Sequence, residues 1–446
     1  MIRVFLFLLP LLLFGQEIEV RLPTKLKSKA VYLSQLHTHR QEHDWRYFEE
    51  VQTILEFDLK ASGFCHLLPT REDLETTFHF PDVRTDFNMA PWKKEKIPFV
   101  IALQVFQNCL QLTAFNIEKG TSKKYSDIPL TGSIEKDRIP LHRLTDTLQK
   151  DLFGKEGIAS LRILYAKRLK NEEKGLEWLS EIWICDADGG RARQLTQDKS
   201  YCLSPSFLPK TSNGDLEFFY VSDKIGQSKI YRASLANPKG VPMVELRGNQ
   251  ALASLSRQGN QMAFITDVAG RPDLFIQNLD PKGRMLGKAR QLYSSPRATQ
   301  ASPTFSPDGK RVAFVSDKDG PPRIYLLDVI GAKETKRAAP KLLTRKNREN
   351  TSPSWSPDGT KLAYSAKTEG VRQIWIYDFE SEEEMQLTNS PENKENPSWA
   401  PDNFHLVYNT EFEDTSEIYL IDLNQSDPIQ ITKGAGQKRF ASWEPR

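Results

Sequence analysis

Three histidines, His37, His39 and His43, fall within seven positions of each other, with Glu42 and Asp44 beside them. On a helix, His39 and His43 would share one face, and nitrogen and carboxylate donors so placed suit a zinc ion. The segment lacks the H-E-x-x-H order, in which a glutamate between two ligating histidines acts as base. It is polar throughout, so a solvated surface is the expectation rather than a metal centre. Hydrolytic chemistry would need a G-x-S-x-G elbow followed by an acid and a histidine, and the chain contains no such elbow. Asp186, Asp328, Asp378 and Asp422 recur at comparable points of a repeat. They could ring an ion in a channel, but recurrence at one structural position favours carboxylates that accept turn N–H groups. The four cysteines, Cys65, Cys109, Cys185 and Cys202, form no C-x-x-C pair. Free buried thiols are expected, with a Cys65–Cys109 bridge as the alternative. No catalytic residue, cofactor or metal site is therefore assigned.

The elements that hold these residues follow from pattern and composition. Among 446 residues, 61 basic and 58 acidic side chains nearly cancel to a formal +3. Nucleic-acid binding usually shows a clustered basic footprint, whereas Lys93, Lys94 and Lys96 are interrupted by Glu95. Near the start, Arg3 precedes an apolar run from Val4 to Phe14 broken only by Pro10. Such a run is shorter than the roughly 20 residues that span a bilayer and suits the core of a signal peptide. Residues 1–15 are read as that signal, with cleavage near Gly15 or Gln16, and the mature protein as exported and soluble.

Repetition decides the architecture. Ser352–Gly359 reads S-P-S-W-S-P-D-G and Ser302–Gly309 reads S-P-T-F-S-P-D-G. Looser copies run over Asn396–Asn403, Ser204–Pro209, Leu252–Gly259 and Ala441–Pro445. Their large apolar residues are Phe207, Leu255, Phe305, Trp355, Trp399 and Trp443, spaced by 48, 50, 50, 44 and 44 residues. In step with them come a strand-like apolar pair (Ile182, Ile230, Leu274, Ile324, Ile374 and Ile418 lead it) and a short L-T or I-T strand. Pro-Asp-Gly pre-sets a tight turn, and Gly226, Gly270, Gly320 and Gly370 each precede the apolar pair where a hairpin wants a left-handed residue. Four strands at this period make a propeller blade, and six copies predict six blades over residues 156–446. The first unit lacks its aromatic strand while an orphan copy surrounds Trp443. Pairing the two would seal the ring and remove an exposed edge.

Residues 16–155 lack the repeat and read as an α/β domain. Phe48, Val51, Leu55 and Leu59 mark one face of a helix over Tyr47–Ala61, which Gly63 stops. Ile97–Phe106 reads as a buried strand with Gln111–Ile117 as its hairpin partner, and His142–Leu152 as a second amphipathic helix.

The D-L-K-A-S-G-F run of Asp58–Phe64 and the stretch from His142 through Leu152 and Gly157 to Arg162–Ala166 resemble the TolB family of the Tol–Pal envelope system. The likeness extends along nearly the whole mature chain. Two departures are a third repeat without Pro-Asp-Gly and a long connection at Lys167–Leu179. The resemblance implies a periplasmic, non-enzymatic adaptor, monomeric, serving envelope integrity and cell division. Its N-terminal strand would pair with a TolA-like inner-membrane protein; the matching residues are Glu17, Ile18, Glu19, Val20, Arg21 and Leu22, whose alternation suits β-augmentation. Its propeller loops would bind a Pal-like peptidoglycan-associated lipoprotein through Arg297, Thr299, Arg348, Glu349, Asn350, Asn393, Glu395, Asn396, Lys438 and Arg439. The alternative class is a periplasmic propeller enzyme, a lyase or hydrolase, with its site in the channel mouth. That class calls for convergent His, Arg and Glu or Tyr side chains, a grouping the sequence does not display.

Overall fold

The computed structural model describes residues 28–38, 44–80, 87–171, 177–209, 215–329, 339–412, 414–424 and 427–446. The leader at 1–15, the N-terminal strand Glu17–Leu22, and His39 and His43 lie outside these residues.

The N-terminal part is a five-stranded sheet with helices on both faces. Its elements are β1 (Lys29–Thr38), α1 (Trp45–Ala61), β2 (Cys65–Leu67), α2 (Glu72–Glu75) and α3 (Ala90–Lys94). They continue as β3 (Phe99–Phe106), β4 (Cys109–Asn116), β5 (Thr121–Pro129) and α4 (Ile134–Phe153). The sheet order is β2-β1-β3-β4-β5, with β1 parallel to both β2 and β3. Asp44 caps α1 by accepting the Arg46 N–H at 3.2 Å. The helical stripe predicted for α1 is the buried one, and Val51, Leu55 and Leu59 meet Leu141, Leu144 and Leu148 of α4 over one face of the sheet. Trp92, Leu74 and Phe78 cover Tyr32, Val100 and Phe115 on the other face.

The sequence reading understated this part. β1, β2 and β5 were not anticipated, and α4 begins at Ile134 rather than at His142, running through Pro140. The buried Asp137 explains the earlier start: it accepts the Tyr47 hydroxyl at 2.6 Å and the Thr131 N–H at 2.9 Å, fastening the first turn of α4 to α1. Gly154 ends α4 in the left-handed conformation with φ 67°.

Residues from Arg162 onward form six four-stranded antiparallel sheets, the blades of a propeller. The innermost strands are Gln437–Trp443 (blade 1), Cys202–Phe207, Gln250–Leu255, Gln300–Phe305, Asn350–Trp355 and Asn393–Trp399 (blade 6). Each touches its neighbours, so together they close a ring. Blade 1 runs in the order Gln437–Trp443, Arg162–Lys170, Trp178–Asp186, Arg193–Gln194. The last blade strand of the chain therefore completes the first blade, with Trp443 paired to Ile163 and Ser442 to Leu164.

The repeated residues have separate physical tasks. Phe305, Trp355 and Trp399 are buried between blades, and the Trp399 indole N–H crosses to the Ser354 carbonyl at 3.1 Å. Gly309 and Gly359 carry φ 70° and 78° after Pro-Asp, and Asn403 takes the glycine's place at φ 62°. The threonine of the L-T pairs is less a strand residue than a side-chain substitute for one. Thr196, Thr388 and Thr432 accept the N–H groups of Ile182, Ile374 and Ile418 at 2.8–2.9 Å. Outer strands are consequently short, except that of blade 3, which spans Met285–Tyr293. The described ends of the long connection in blade 1, Lys167–Lys170 and Trp178–Leu179, pair as an extension of its middle hairpin, whose strands each run nine residues.

Candidate functional site: the free propeller face and the domain joint

The α/β domain occupies one face of the propeller, at the seam between blades 6 and 1. Phe64, following β2's preceding turn, stacks on Phe404 of blade 6 with ring centroids 4.7 Å apart. Gly63 allows this approach: it sits at φ 68°, and a Cβ there would collide with the Asp422 carboxylate and the Phe404 ring. Ala61 and Phe57 of α1 pack with Ile158, Leu161, Ala187 and Ile431 in a shared apolar cluster. The Asp58–Phe64 motif is thus consumed by the joint. Gly157 has a similar task, pressed against Asp146, whose carboxylate accepts the Ala159 and Ser160 N–H groups at 2.9 and 3.1 Å and fixes the path into blade 1.

A charged cluster lies at the same seam. His142 Nδ1 is 2.7 Å from Asp58 Oδ2, and both side chains are about 1% exposed. From the turn after the third strand of blade 1, Asp188 reaches Arg138 of α4, and Arg191 forks Asp186 with two bonds of 2.7 Å. A cleft of about 510 Å³ opens beside it, lined in part by Trp45, Phe57, Arg138 and Asp188. The recurrent aspartates therefore divide in role. Asp378 accepts the Glu380 and Ser381 N–H groups as a turn residue should, Asp422 accepts that of Asn424, and Asp186 is drawn into the joint.

The opposite face, built from the loops that enter each innermost strand and the middle hairpins, is left open by the described residues of the domain. Most of the loop residues singled out in the sequence stand here. Arg297, Thr299, Arg348 and Asn393 are exposed; Glu349, Glu395, Asn396 and Arg439 are half-buried. The Thr299 N–H is held by Asp317 of the adjacent hairpin at 2.6 Å. Glu349 and Glu395 are brought together by Arg372, at 3.6 and 3.2 Å, and Arg439 pairs with Glu411 at 2.8 Å. Burial raises the carboxyl of Glu411 above its usual range, Arg439 opposing it. Asn350 and Lys438 do not reach this surface. Asn350 is fully buried and donates to the Asn347 carbonyl at 2.9 Å, while Lys438 is 2% exposed and bonds Glu417 at 2.7 Å. They cap loops from beneath, because at the start of an innermost strand a side chain points inward under the loop that precedes it.

Sequence reasoning missed Arg372 and Glu411, since both lie on middle hairpins rather than on the loops inspected. It also missed a backbone feature. Ser204, Leu252, Ser302, Ser352, Asn396 and Phe440 adopt φ of 45–56°, one in every innermost strand. Each coincides with a break in register, a bulge that bends the strand. In four copies proline follows, which biases the preceding residue toward extended backbone, so the sequence signal points away from the observed conformation.

A ring of six blades with an α/β domain on one face and charged loops on the other defines a two-part propeller protein. No helix among the described residues is long and apolar enough to cross a membrane. A family model described as the TolB beta propeller domain matches residues 149–446. A TolB homolog of Protochlamydia amoebophila is 42% identical over 285 residues, covering 63% of this chain and 60% of that protein. One of Chlamydia pneumoniae is 33% identical over 290 residues, covering 65% and 62%. The matched region thus spans under two thirds of the length of these relatives. The crystal structure of TolB from Acinetobacter baumannii superposes with a TM-score of 0.74 at 21% identity, over 94% of this chain and 97% of that one. The chain belongs to the TolB propeller family.

Proposed function

We propose that this protein is a non-enzymatic adaptor of the Tol–Pal system in the periplasm, joining an inner-membrane TolA-like protein to a Pal-like peptidoglycan-associated lipoprotein. The observation that carries the reading, beyond family membership, is the division of faces. The α/β domain takes the blade 6–blade 1 seam on one side, which leaves the loop face unobstructed for a second protein. On that face the Glu349–Arg372–Glu395 chain and the Arg439–Glu411 pair offer charges of both signs to a partner. Loops on a rigid ring are a usual place for recognition, and interspersed rim charges set specificity and on-rate. The exposed members of the loop set, Arg297, Thr299, Arg348 and Asn393, with Glu349, Glu395, Asn396 and Arg439, form the proposed Pal-like contact. Glu17–Leu22 form the proposed TolA-like strand, ahead of β1. Such a role serves envelope integrity and cell division.

The test is a pull-down from envelope extract with the mature protein and with a variant lacking Glu17–Leu22. The expected result is that both recover a peptidoglycan-linked lipoprotein and only the intact protein recovers an inner-membrane partner. Recovery of neither by the intact protein would falsify the adaptor reading.

A further inference from the structure

The seam between the two domains contains a charge imbalance. Facing His142 are Asp58 from α1, Asp186 and Asp188 from the blade 1 turn, Arg191 from the same turn, and Arg138 and Asp146 from its own helix. Asp146 is occupied by the Ala159 and Ser160 amides. Those amides stabilise the Asp146 carboxylate but leave its charge, so four carboxylates meet two guanidinium groups and the buried cluster keeps an excess of negative charge. Uncompensated buried charge is costly, so further positive charge is called for.

The histidine ring is oriented to supply it. Nδ1 donates to Asp58 Oδ2 at 2.7 Å, and Nε2 lies 3.8 Å from Asp188 Oδ2. Nε2 is buried and has no hydrogen-bond partner among the described residues. A neutral ring with its hydrogen on Nδ1 would aim the Nε2 lone pair at a carboxylate. A ring protonated on both nitrogens would link a carboxylate of each domain. His142, Asp186 and Asp188 also stand close enough together to share a metal ion. Arg191, however, forks both oxygens of Asp186 and Arg138 takes Asp188 Oδ2. Asp188 Oδ1 in turn accepts the Gly190 N–H at 2.9 Å, so both carboxylates a metal would need are already engaged, and the small remaining gap between His142 and Asp188 suits a proton.

We propose that His142 is a proton-operated latch between the α/β domain and the propeller: its imidazolium bridges Asp58 and Asp188, and its neutral form loosens the seam. The direction of proton affinity agrees. Burial opposes a charged ring, but the carboxylates of Asp58, Asp188 and Asp186 outweigh it and hold His142 above its ordinary value. Burial likewise lifts the Asp58 carboxyl, up to about 6. Both groups hold protons more tightly in the closed seam, so closing takes protons up. The stabilisation from His142 is complete below its unfolded value of roughly 6.5 and is lost as pH rises through the higher folded value. The adjoining cleft, which Arg138 and Asp188 help to line, brings solvent to the edge of the cluster.

Hydrogen exchange on the full chain tests this, comparing peptides across 134–153 and 186–191 in the wild type and in His142→Gln. Measurements from about pH 6.5, the ordinary histidine value, to about pH 8.5 stay above the value of the Asp58 carboxyl, which is therefore mainly ionised throughout. The protection ratio of wild type to variant is expected to stand several-fold above one at the acid end and to approach one at the alkaline end. Taking the ratio cancels the intrinsic pH dependence of exchange and the contribution of His405, which pairs with Asp402 in both proteins. A ratio independent of pH overturns the latch and leaves His142 a packing residue. Micromolar Zn²⁺ that raises protection in the wild type alone also overturns it, in favour of a metal. Should His142→Gln fail to fold, ring-nitrogen NMR of His142 in the wild type and in Asp188→Asn decides: its titration must move to lower pH in the variant, and an unmoved titration refutes the proposal.

Discussion

Replacing Phe64 with alanine should uncouple the two domains. The Phe64 ring is 6% exposed and packs with Trp399, Phe404, Leu406 and Ile376 of the propeller, with Phe153 of α4 bordering the cluster from its own domain. Apart from Phe153 its ring neighbours belong to the propeller, so its loss falls mainly on the seam. A buried Phe→Ala change costs about 3–5 kcal/mol. At 1.4 kcal/mol per factor of ten, the seam should open between about a hundred and a few thousand times more often. Calorimetry of the wild type should show domain and propeller melting together, and the variant should show the α/β domain melting apart at lower temperature. A double-mutant cycle with Phe404→Ala should return a coupling of roughly 0.5–1.5 kcal/mol for the stacked pair. If Phe64→Ala melts as one unit at the wild-type temperature, or if the cycle shows no coupling, the seam is not held by this contact and the reasoning fails.

Three further outcomes are expected. Trp443→Ala, which empties a buried site at the closing strand, should lower the urea midpoint by an amount equivalent to about 3–5 kcal/mol and raise light scattering as the blade 1 edge is exposed; unchanged scattering would count against closure by this strand. Under native conditions a thiol reagent should titrate Cys109 quickly and the other cysteines slowly, because Cys65, Cys185 and Cys202 are buried and burial pushes the Cys65 thiol up to about 11. A fast reaction that survives Cys109→Ser would contradict this. Arg372→Ala should weaken capture of the lipoprotein partner about tenfold while changing stability by less than about 1 kcal/mol, the usual worth of partly exposed ion pairs; a large fall in melting temperature would recast Arg372 as structural.

The propeller was legible because its signals are local and repeated. Pro-Asp-Gly sets a turn whatever the neighbours are, and an aromatic residue at a fixed interval fills the same wedge in each blade. The α/β sheet was legible only in part. β1 ends in a polar stretch, and β5, with Lys123, Lys124 and Asp127, is exposed along most of its length, so neither carries an apolar pattern strong enough to announce a strand. The start of α4 was hidden because Asp137, a polar residue, is what anchors it. The proposed partner face was chosen by loop position, and burial separates its members. Asn350 and Lys438 point beneath the loops, and no local feature distinguishes them from their exposed neighbours. The seam was the least visible. Asp58 and Gly63 stood in a motif whose meaning depends on Asp188, Phe404 and Asp422, residues more than a hundred positions away that only the closed ring brings near.

Closure by the last blade strand also sets a time order on folding. Arg168 and Gln437, joined across blade 1, are separated by 269 residues. As the chain emerges, the strand Arg162–Lys170 waits with an unpaired inner edge until every other blade has been made. Contacts of such long separation form slowly, and unpaired strand edges invite association with other chains. The protein therefore passes through a stage in which five blades are complete and the first is a three-stranded, open sheet. The α/β domain straddles that same gap, touching blade 1 through Asp188 and blade 6 through Phe404. It can bind both sides firmly only once the ring has closed, so docking of the domain doubles as a readout of closure.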